Sequence, residues 1–283
     1  MNFKEQMADK VVAIEKILKA YMPEEEGPQK LIMEAMNYSV TVGGKRLRPM
    51  LMQETYTLFG GDGDAIEPFM AAQEMIHTYS LVHDDLPAMD NDEYRRGKKT
   101  TWVAYGEDMA ILAGDGLLNY AFETALKAFG KAEPLKVAEC LKVLSGKAGI
   151  YGMIGGQVVD VMSEEKKLDM ETLLFIHRNK TSALIQSSMM IGAILAGASK
   201  EDVDKIEKIG EDIGLAFQIQ DDILDVTSSL EVLGKPVHSD EKNEKTTYIT
   251  LEGLEKSKKD VEKISYRAIS GLKSFERENQ FLN

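Results

Sequence analysis

A chain of 283 residues with 43% apolar content can bury a substantial core, while a net charge of −13 argues against a nucleic-acid partner. The lone Cys140 excludes an internal disulfide and suits a reducing compartment; it sits among apolar neighbours and reads as core. Met1 to Lys10 is charged and lacks the apolar stretch of a signal peptide. The longest apolar run, Met189 to Ala198, has about half of the ~20 residues a membrane span needs, so a soluble, cytoplasmic protein with no membrane span is expected. An anionic surface also makes any phosphorylated substrate depend on local basic groups and divalent cations.

Helical periodicity dominates. Val11, Ile14, Ile17, Leu18 and Tyr21 fall at helix spacing before Pro23. Leu31 to Val40 continues the pattern, Gly43-Gly44 stops it, and Lys45, Arg46 and Arg48 form a basic patch before Pro49 opens the next helix. A long helix is expected from about Ala65 to the acidic stretch at Asp84. Glu107 to Phe129, Leu135 to Asp160, Asp169 to Ala198, Lys200 to Asp225 and Leu254 to Phe275 read as further amphipathic helices. No alternating apolar–polar run or Asn-Gly hairpin signal stands out, and neither does a repeat or low-complexity linker. The expectation is one all-α domain over residues 1–283, an antiparallel bundle of roughly ten helices.

Two acidic clusters carry the chemistry. Ser80 to Gly97 holds Asp84, Asp85 and Asp90 around Pro87, then Arg95 and Arg96. Acids beside bases make sense if the acids hold metal ions and the arginines hold phosphates. Asp90 is six residues past Asp84, which an unbroken helix would turn to another side. Pro87 breaks the helical ladder and would let Asp90 swing back beside Asp84. In the second cluster, Asp221-Asp222-Ile223-Leu224-Asp225, helix spacing puts Gln218, Asp221 and Asp225 on one face, and Asp222 lies four on from Gln218. Mg²⁺ is commonly held by one or two carboxylates plus substrate phosphates. The plainer alternative, an acidic turn facing solvent, is weakened by Phe217, Ile219, Ile223 and Leu224 packing around the acids.

Other polar groups interrupt apolar helices or occupy loops. They are Gln157 with Asp160, Lys180-Thr181 beside His177 and Arg178, Gly234-Lys235-Pro236, and Lys245 to Tyr248. A single lysine of this kind is more often a snorkelling surface charge than a ligand. Several basic sites beside two acid clusters point to two anionic ligands, one reached through metal and one bound directly.

This combination resembles the trans-isoprenyl diphosphate synthases over nearly the whole chain. Asp84-Asp85-Leu86-Pro87-Ala88-Met89-Asp90 followed by Arg95-Arg96-Gly97 matches the family's first aspartate-rich motif, and Asp221 to Asp225 its second. Gly43 to Pro49 matches its Gly-Gly-Lys-Arg-Leu-Arg-Pro stretch; Gly156-Gln157 with Asp160 and Lys180-Thr181 also match. Pro87-Ala88 is the two-residue insertion of the bacterial farnesyl-type members. The resemblance implies an isoprenoid-synthase helical bundle, a homodimer, and two motifs facing across a deep central cavity. It implies three Mg²⁺ ions on the aspartate motifs, with Asp84, Asp90 and Asp221 bridging to an allylic diphosphate and Asp85, Asp222 and Asp225 completing the acidic sets. Arg95, Lys180 and Lys235 would hold that diphosphate, and Thr181, Gln218 and Lys245 would line its site, with Lys180, Thr181 and Gln218 flanking the cation. Isopentenyl diphosphate would lie on Lys45, Arg48, His77 and Arg96.

The implied activity is head-to-tail prenyl transfer to all-trans farnesyl diphosphate. The alternatives are a geranyl or geranylgeranyl diphosphate synthase or a non-catalytic partner subunit. A terpene cyclase or head-to-head condensing enzyme has no need of Lys45, Arg48 and the Arg95-Arg96 pair. In the family a bulky residue at the Tyr79 position, here Tyr79-Ser80, limits elongation; packed core is the plainer role for Tyr79. Glu278 to Asn283 stands where the family's closing C-terminal helix would begin.

Overall fold

The computed structural model describes residues 2–164, 166–227, 246–275, 277, 279, 281 and 282. It is all-α apart from one miniature hairpin among the described residues. The helices run α1 (Phe3–Ala20), α2 (Lys30–Thr41), α3 (Leu47–Leu58), α4 (Glu67–Asp84), α5 (Thr101–Tyr105), α6 (Glu107–Leu126) and α7 (Pro134–Ala148). They continue with α8 (Met153–Met162), α9 (Met170–Ile176), α10 (Ala183–Ala196), α11 (Lys200–Thr227), α12 (Tyr248–Glu252) and α13 (Leu254–Lys273). None is long and apolar enough to cross a membrane.

The chain forms two compact units. The first comprises Met1–Leu141 with Leu195–Gly197, the second Lys142–Ile194 with Ala198–Asn283. In the first, α4 is the central element. Phe69, Met70, Met75 and Ile76 are wholly buried, and the helix packs against α1, α2, α3 and α6. α6 meets it with the small residues Ala110, Ala113, Gly114 and Ala121, which let two backbones come close. In the second unit α11 packs along α13, with Leu215, Ala216, Ile219, Ile223 and Ile264 as a buried cluster.

Three local features differ from the sequence expectation. The Leu135 to Asp160 helix divides into α7 and α8 around a turn at Gly149–Gly152, where Gly152 N–H donates to Gly149 C=O at 3.0 Å. Gly152 has φ −136° and ψ −125°, far from helical values, and glycine's weak helix propensity lets the ladder end there. The Asp169 to Ala198 helix is interrupted by a π-helical segment, His177–Ser182, between α9 and α10. The hairpin pairs β1 (Tyr94–Arg95) with β2 (Lys98–Lys99). Its two turn residues, Arg96 (φ 54°) and Gly97 (φ 76°), both adopt positive φ, as a two-residue hairpin turn requires. A search for Asn-Gly misses it because arginine takes the first of those positions.

A buried ion pair ties the Gly43–Pro49 segment to α4. Arg46, 3% exposed and at φ 48°, gives Nη1 to Glu74 Oε1 at 2.8 Å. Its Nε reaches Glu15 Oε1 on α1 at 3.1 Å, and its Nη2 the Val40 carbonyl at 2.6 Å. Arg46 was read only as part of a basic patch; here it joins three helices. Arg46→Ala leaves Glu74 buried and unpaired, a loss of roughly 3–5 kcal/mol. A denaturant midpoint unchanged from the parent protein would show that the pair does not bear on stability.

Candidate functional site

The first unit brings together most of the predicted anion ligands. His77 lies on α4, where the positive charges of Arg48, Arg96, Arg95 and Arg46 act on it. Burial, then repulsion by these four guanidiniums, holds its imidazole well below the ordinary histidine range, so His77 is neutral at pH 7 and offers a hydrogen bond without adding charge. Burial also lowers Arg48, opposed by Glu74, and the Arg48 Nε is buried without a hydrogen-bond partner. Arg96 is brought in by the hairpin, its guanidinium donating to the Gly43 carbonyl. Lys45 is exposed.

The first aspartate motif follows at the end of α4. The helix stops at Asp84, and the Asp90 N–H donates to the Asp84 carbonyl at 2.8 Å while Asn91 N–H returns to Leu86. The chain therefore doubles back after Pro87 and carries Asp90 to Asp84, as the proline spacing predicted. Asp84 is half-buried and Asp90 exposed. Asp85 faces otherwise: 3% exposed, its two oxygens accept from Arg95 Nε at 2.8 and 3.0 Å. Burial raises its carboxyl and Arg95 counters this; a two-pronged guanidinium contact keeps it a carboxylate at neutral pH. Asp85 thus positions Arg95. Both line a small pocket with Ser39, Thr78, Arg96 and Thr101.

Tyr79 is 6% exposed and packs edge-on against His83, with ring centroids 5.9 Å apart. Burial, with the Asp84 charge adding to it, pushes the phenol up to about 12, and its buried hydroxyl has no hydrogen-bond partner. The Ser80 hydroxyl is satisfied within the helix by the His77 carbonyl at 2.9 Å.

In the second unit the π-helical segment holds the sequence candidates Lys180 and Thr181. Lys180 Nζ pairs with Asp160 Oδ2 on α8 at 2.7 Å, and Thr181 Oγ1 donates to Gln218 Oε1 on α11 at 3.0 Å. All four were sequence candidates. The close approach is set by glycines: a Cβ at Gly156 would lie 2.2 Å from the Lys180 nitrogen, and one at Gly214 2.3 Å from Ser182 Oγ. A π-turn widens a helix locally, often at functional sites, and no composition signal announces it. His177 opens the segment, 6% exposed, and burial lowers it to about 4 against the opposing charge of Asp160. On α11 Asp221 and Asp222 are half-buried and Asp225 is 2% exposed. Asp222 Oδ2 accepts from the Tyr248 N–H at 2.8 Å and thereby caps α12. Lys235 and Lys245 lie outside the described residues. Among the described residues no three His, Cys, Asp or Glu side chains converge to hold a metal ion by themselves.

The polyprenyl synthetase family model matches residues 29–281. The chain belongs to the polyprenyl synthetase family. The chain is 46% identical over 243 residues to the farnesyl diphosphate synthase of Geobacillus stearothermophilus, covering 86% of this chain and 82% of that one. It is 43% identical over 276 residues to a chloroplastic geranylgeranyl pyrophosphate synthase of Capsicum annuum, covering 97% and 74%. Among solved structures it resembles an FPP/GFPP synthase of Zymomonas mobilis, at TM-score 0.88 and 35% identity over 99% of this chain and 96% of the other. A Helicobacter pylori geranyltransferase complexed with magnesium and isoprenyl diphosphate superposes at TM-score 0.86 and 32% identity, over 100% and 94%. The isoprenoid-synthase fold and the prenyltransferase class follow. Both farnesyl and geranylgeranyl synthases stand at this level of identity.

His177 gives the protein a pH signature. The unfolded chain binds this proton near pH 6.5, the folded protein only near pH 4, so the unfolded state holds more protons in that interval. Stability present above pH 6.5 falls as the pH drops toward 4, by an amount on the order of 3 kcal/mol. Urea unfolding at pH 7 and pH 4.5 should show a smaller loss in His177→Gln than in the parent; equal losses would exclude His177 as the source.

Proposed function

We propose that this protein condenses an allylic diphosphate, dimethylallyl or geranyl, with isopentenyl diphosphate to all-trans farnesyl diphosphate, as a cytoplasmic Mg²⁺-dependent homodimer. The observation that carries the reading is the fold-back of Asp90 onto Asp84 at the end of the helix that bears His77, beside a pocket lined by Arg95 and Arg96, with burial and the charges of Arg48 and Arg96 keeping His77 neutral. A cationic basin and a metal-binding acid pair on one element suit two diphosphates handled differently.

The donor set fits magnesium. The Asp84–Asp90 loop offers exposed carboxylate on a hydrogen-bonded backbone, and the ion keeps open positions for diphosphate oxygens and water. Three such ions are expected, held by Asp84 and Asp90 and by the carboxylates of Asp221 and its neighbours. When bound, they neutralise the charge that develops on the leaving diphosphate.

The chain's own residues do the rest. Arg95, aimed by Asp85, and Lys180, aimed by Asp160, hold the allylic diphosphate, with Lys235 and Lys245 as further ligands. Arg48, Arg96, Lys45 and His77 bind isopentenyl diphosphate through charge and neutral hydrogen bonding. The Thr181 hydroxyl and the Gln218 amide, already joined, present oxygen dipoles to the allylic cation. Among the described residues no side chain stands as an evident base, so the departing diphosphate is assigned the proton lost when the new double bond forms.

Product length rests on Tyr79. Five residues before Asp84, it lies roughly 7–8 Å along the helix axis, and as a buried, un-ionised ring it suits a floor beneath a fifteen-carbon chain. Incubation with geranyl diphosphate, isopentenyl diphosphate and Mg²⁺, followed by dephosphorylation and chromatography, should yield farnesol. Geranylgeraniol as the main product would select the longer-chain alternative. Asp84→Ala is expected to lose at least ~100-fold in kcat, since it removes a metal ligand acting on the transition state. Near-parental turnover would sink the metal assignment. Tyr79→Ala should move the main product beyond fifteen carbons, and an unchanged chain length would refute the floor.

A further inference from the structure

Glu74 takes no part in the chemistry above, yet it is a buried carboxylate paired with Arg46 whose charge also reaches Arg48 and Arg96. It lies on α4 three residues before His77 and is 2% exposed. Arg46 is fully engaged by Glu74, Glu15 and the Val40 carbonyl, so its charge is spoken for. Arg48 is not: its Nε–H is buried and donates to nothing. The Glu74 charge also supports Arg48 and Arg96, opposing the burial that lowers both, while those two guanidiniums repel one another.

We propose that Glu74 is the resident counter-ion of the Arg46–Arg48–Arg96 cluster: it keeps the cluster assembled when no anion is bound and, by its own charge, limits how tightly a diphosphate is held. Glu74 acts through the arginines and is a positioning residue. This rests on the reading that the cluster takes the diphosphate of isopentenyl diphosphate.

Three like charges cannot be gathered in a half-buried basin without an opposite charge among them. That same charge then repels an incoming diphosphate through poorly screened space. The compromise has a kinetic use. The diphosphate of the five-carbon donor stays on the product, so a basin that grips it too hard retards release. Removing the Glu74 charge should therefore lower KM for isopentenyl diphosphate and lower kcat with it. A merely structural loss would raise KM.

The test is calorimetric titration of inorganic diphosphate, without magnesium or allylic substrate, into the parent protein, Glu74→Gln, Glu74→Asp and Glu15→Gln. Glu15 also pairs with Arg46, but its side chain is 43% exposed. The expected result is about tenfold tighter binding by Glu74→Gln with a lower melting temperature in the absence of anion. Glu74→Asp, which keeps the charge but draws it back, should bind about two- to threefold more tightly than the parent and serves if Glu74→Gln does not fold. Glu15→Gln should match the parent. Glu74 variants that bind diphosphate no more tightly than the parent would overturn the proposal while leaving the anion site intact. A parent protein that takes up no diphosphate would instead overturn the anion site, and the counter-ion role with it.

Discussion

The first unit depends on holding several positive charges in one place without a bound anion. The Arg46–Glu74 pair is the solution: it is buried, it draws α1 and α4 onto the Gly43–Pro49 segment, and it sets the turn from which Arg48 emerges. Arg46 pays for its left-handed backbone with three acceptors. Because the pair is buried, its Coulomb attraction is little screened, and because each guanidinium nitrogen of Arg46 has a partner, the cost of dehydrating the ions is offset. His77 complements this by staying neutral: a charged imidazole among four guanidiniums would work against the fold.

Asp85 and Asp160 belong to the same logic. Each is an acid whose visible task is to orient a base, Arg95 in one unit and Lys180 in the other. A long flexible cation loses side-chain entropy when it is fixed on a ligand, and a carboxylate partner that fixes it beforehand reduces that loss on binding. The acidic motifs thus contain two kinds of aspartate. Asp84 and Asp90 are brought together by a backbone hydrogen bond, whereas Asp85 is drawn inward.

The helical class and most helix limits were legible because apolar periodicity and the prolines and glycines punctuate the chain strongly. So was the return of Asp90 to Asp84, since Pro87 forbids the helix from continuing. His77 in the first unit, and Lys180, Thr181 and Gln218 in the second, stood out as polar groups in otherwise apolar helices, and Arg48 and Arg96 as parts of basic runs. Glu74 carries the same signal, in the apolar run around Ala72 and Met75, but a lone glutamate on a helix is usually solvated, so sequence alone does not mark it as buried.

By itself, the sequence determined which residues carry charge, where helices must stop, and which carboxylates share a helical face, because these follow from backbone sterics and helical spacing. Only the tertiary structure decided what each charge does. A period of 3.6 residues cannot tell that Asp85 turns to Arg95, that Asp222 caps α12, or that Arg96 is delivered by a hairpin turn with positive φ. Nor can it foresee that α9 and α10 join through a π-turn seated against Gly156 and Gly214. Those outcomes depend on contacts between residues distant in the chain, and local propensity holds no information about them.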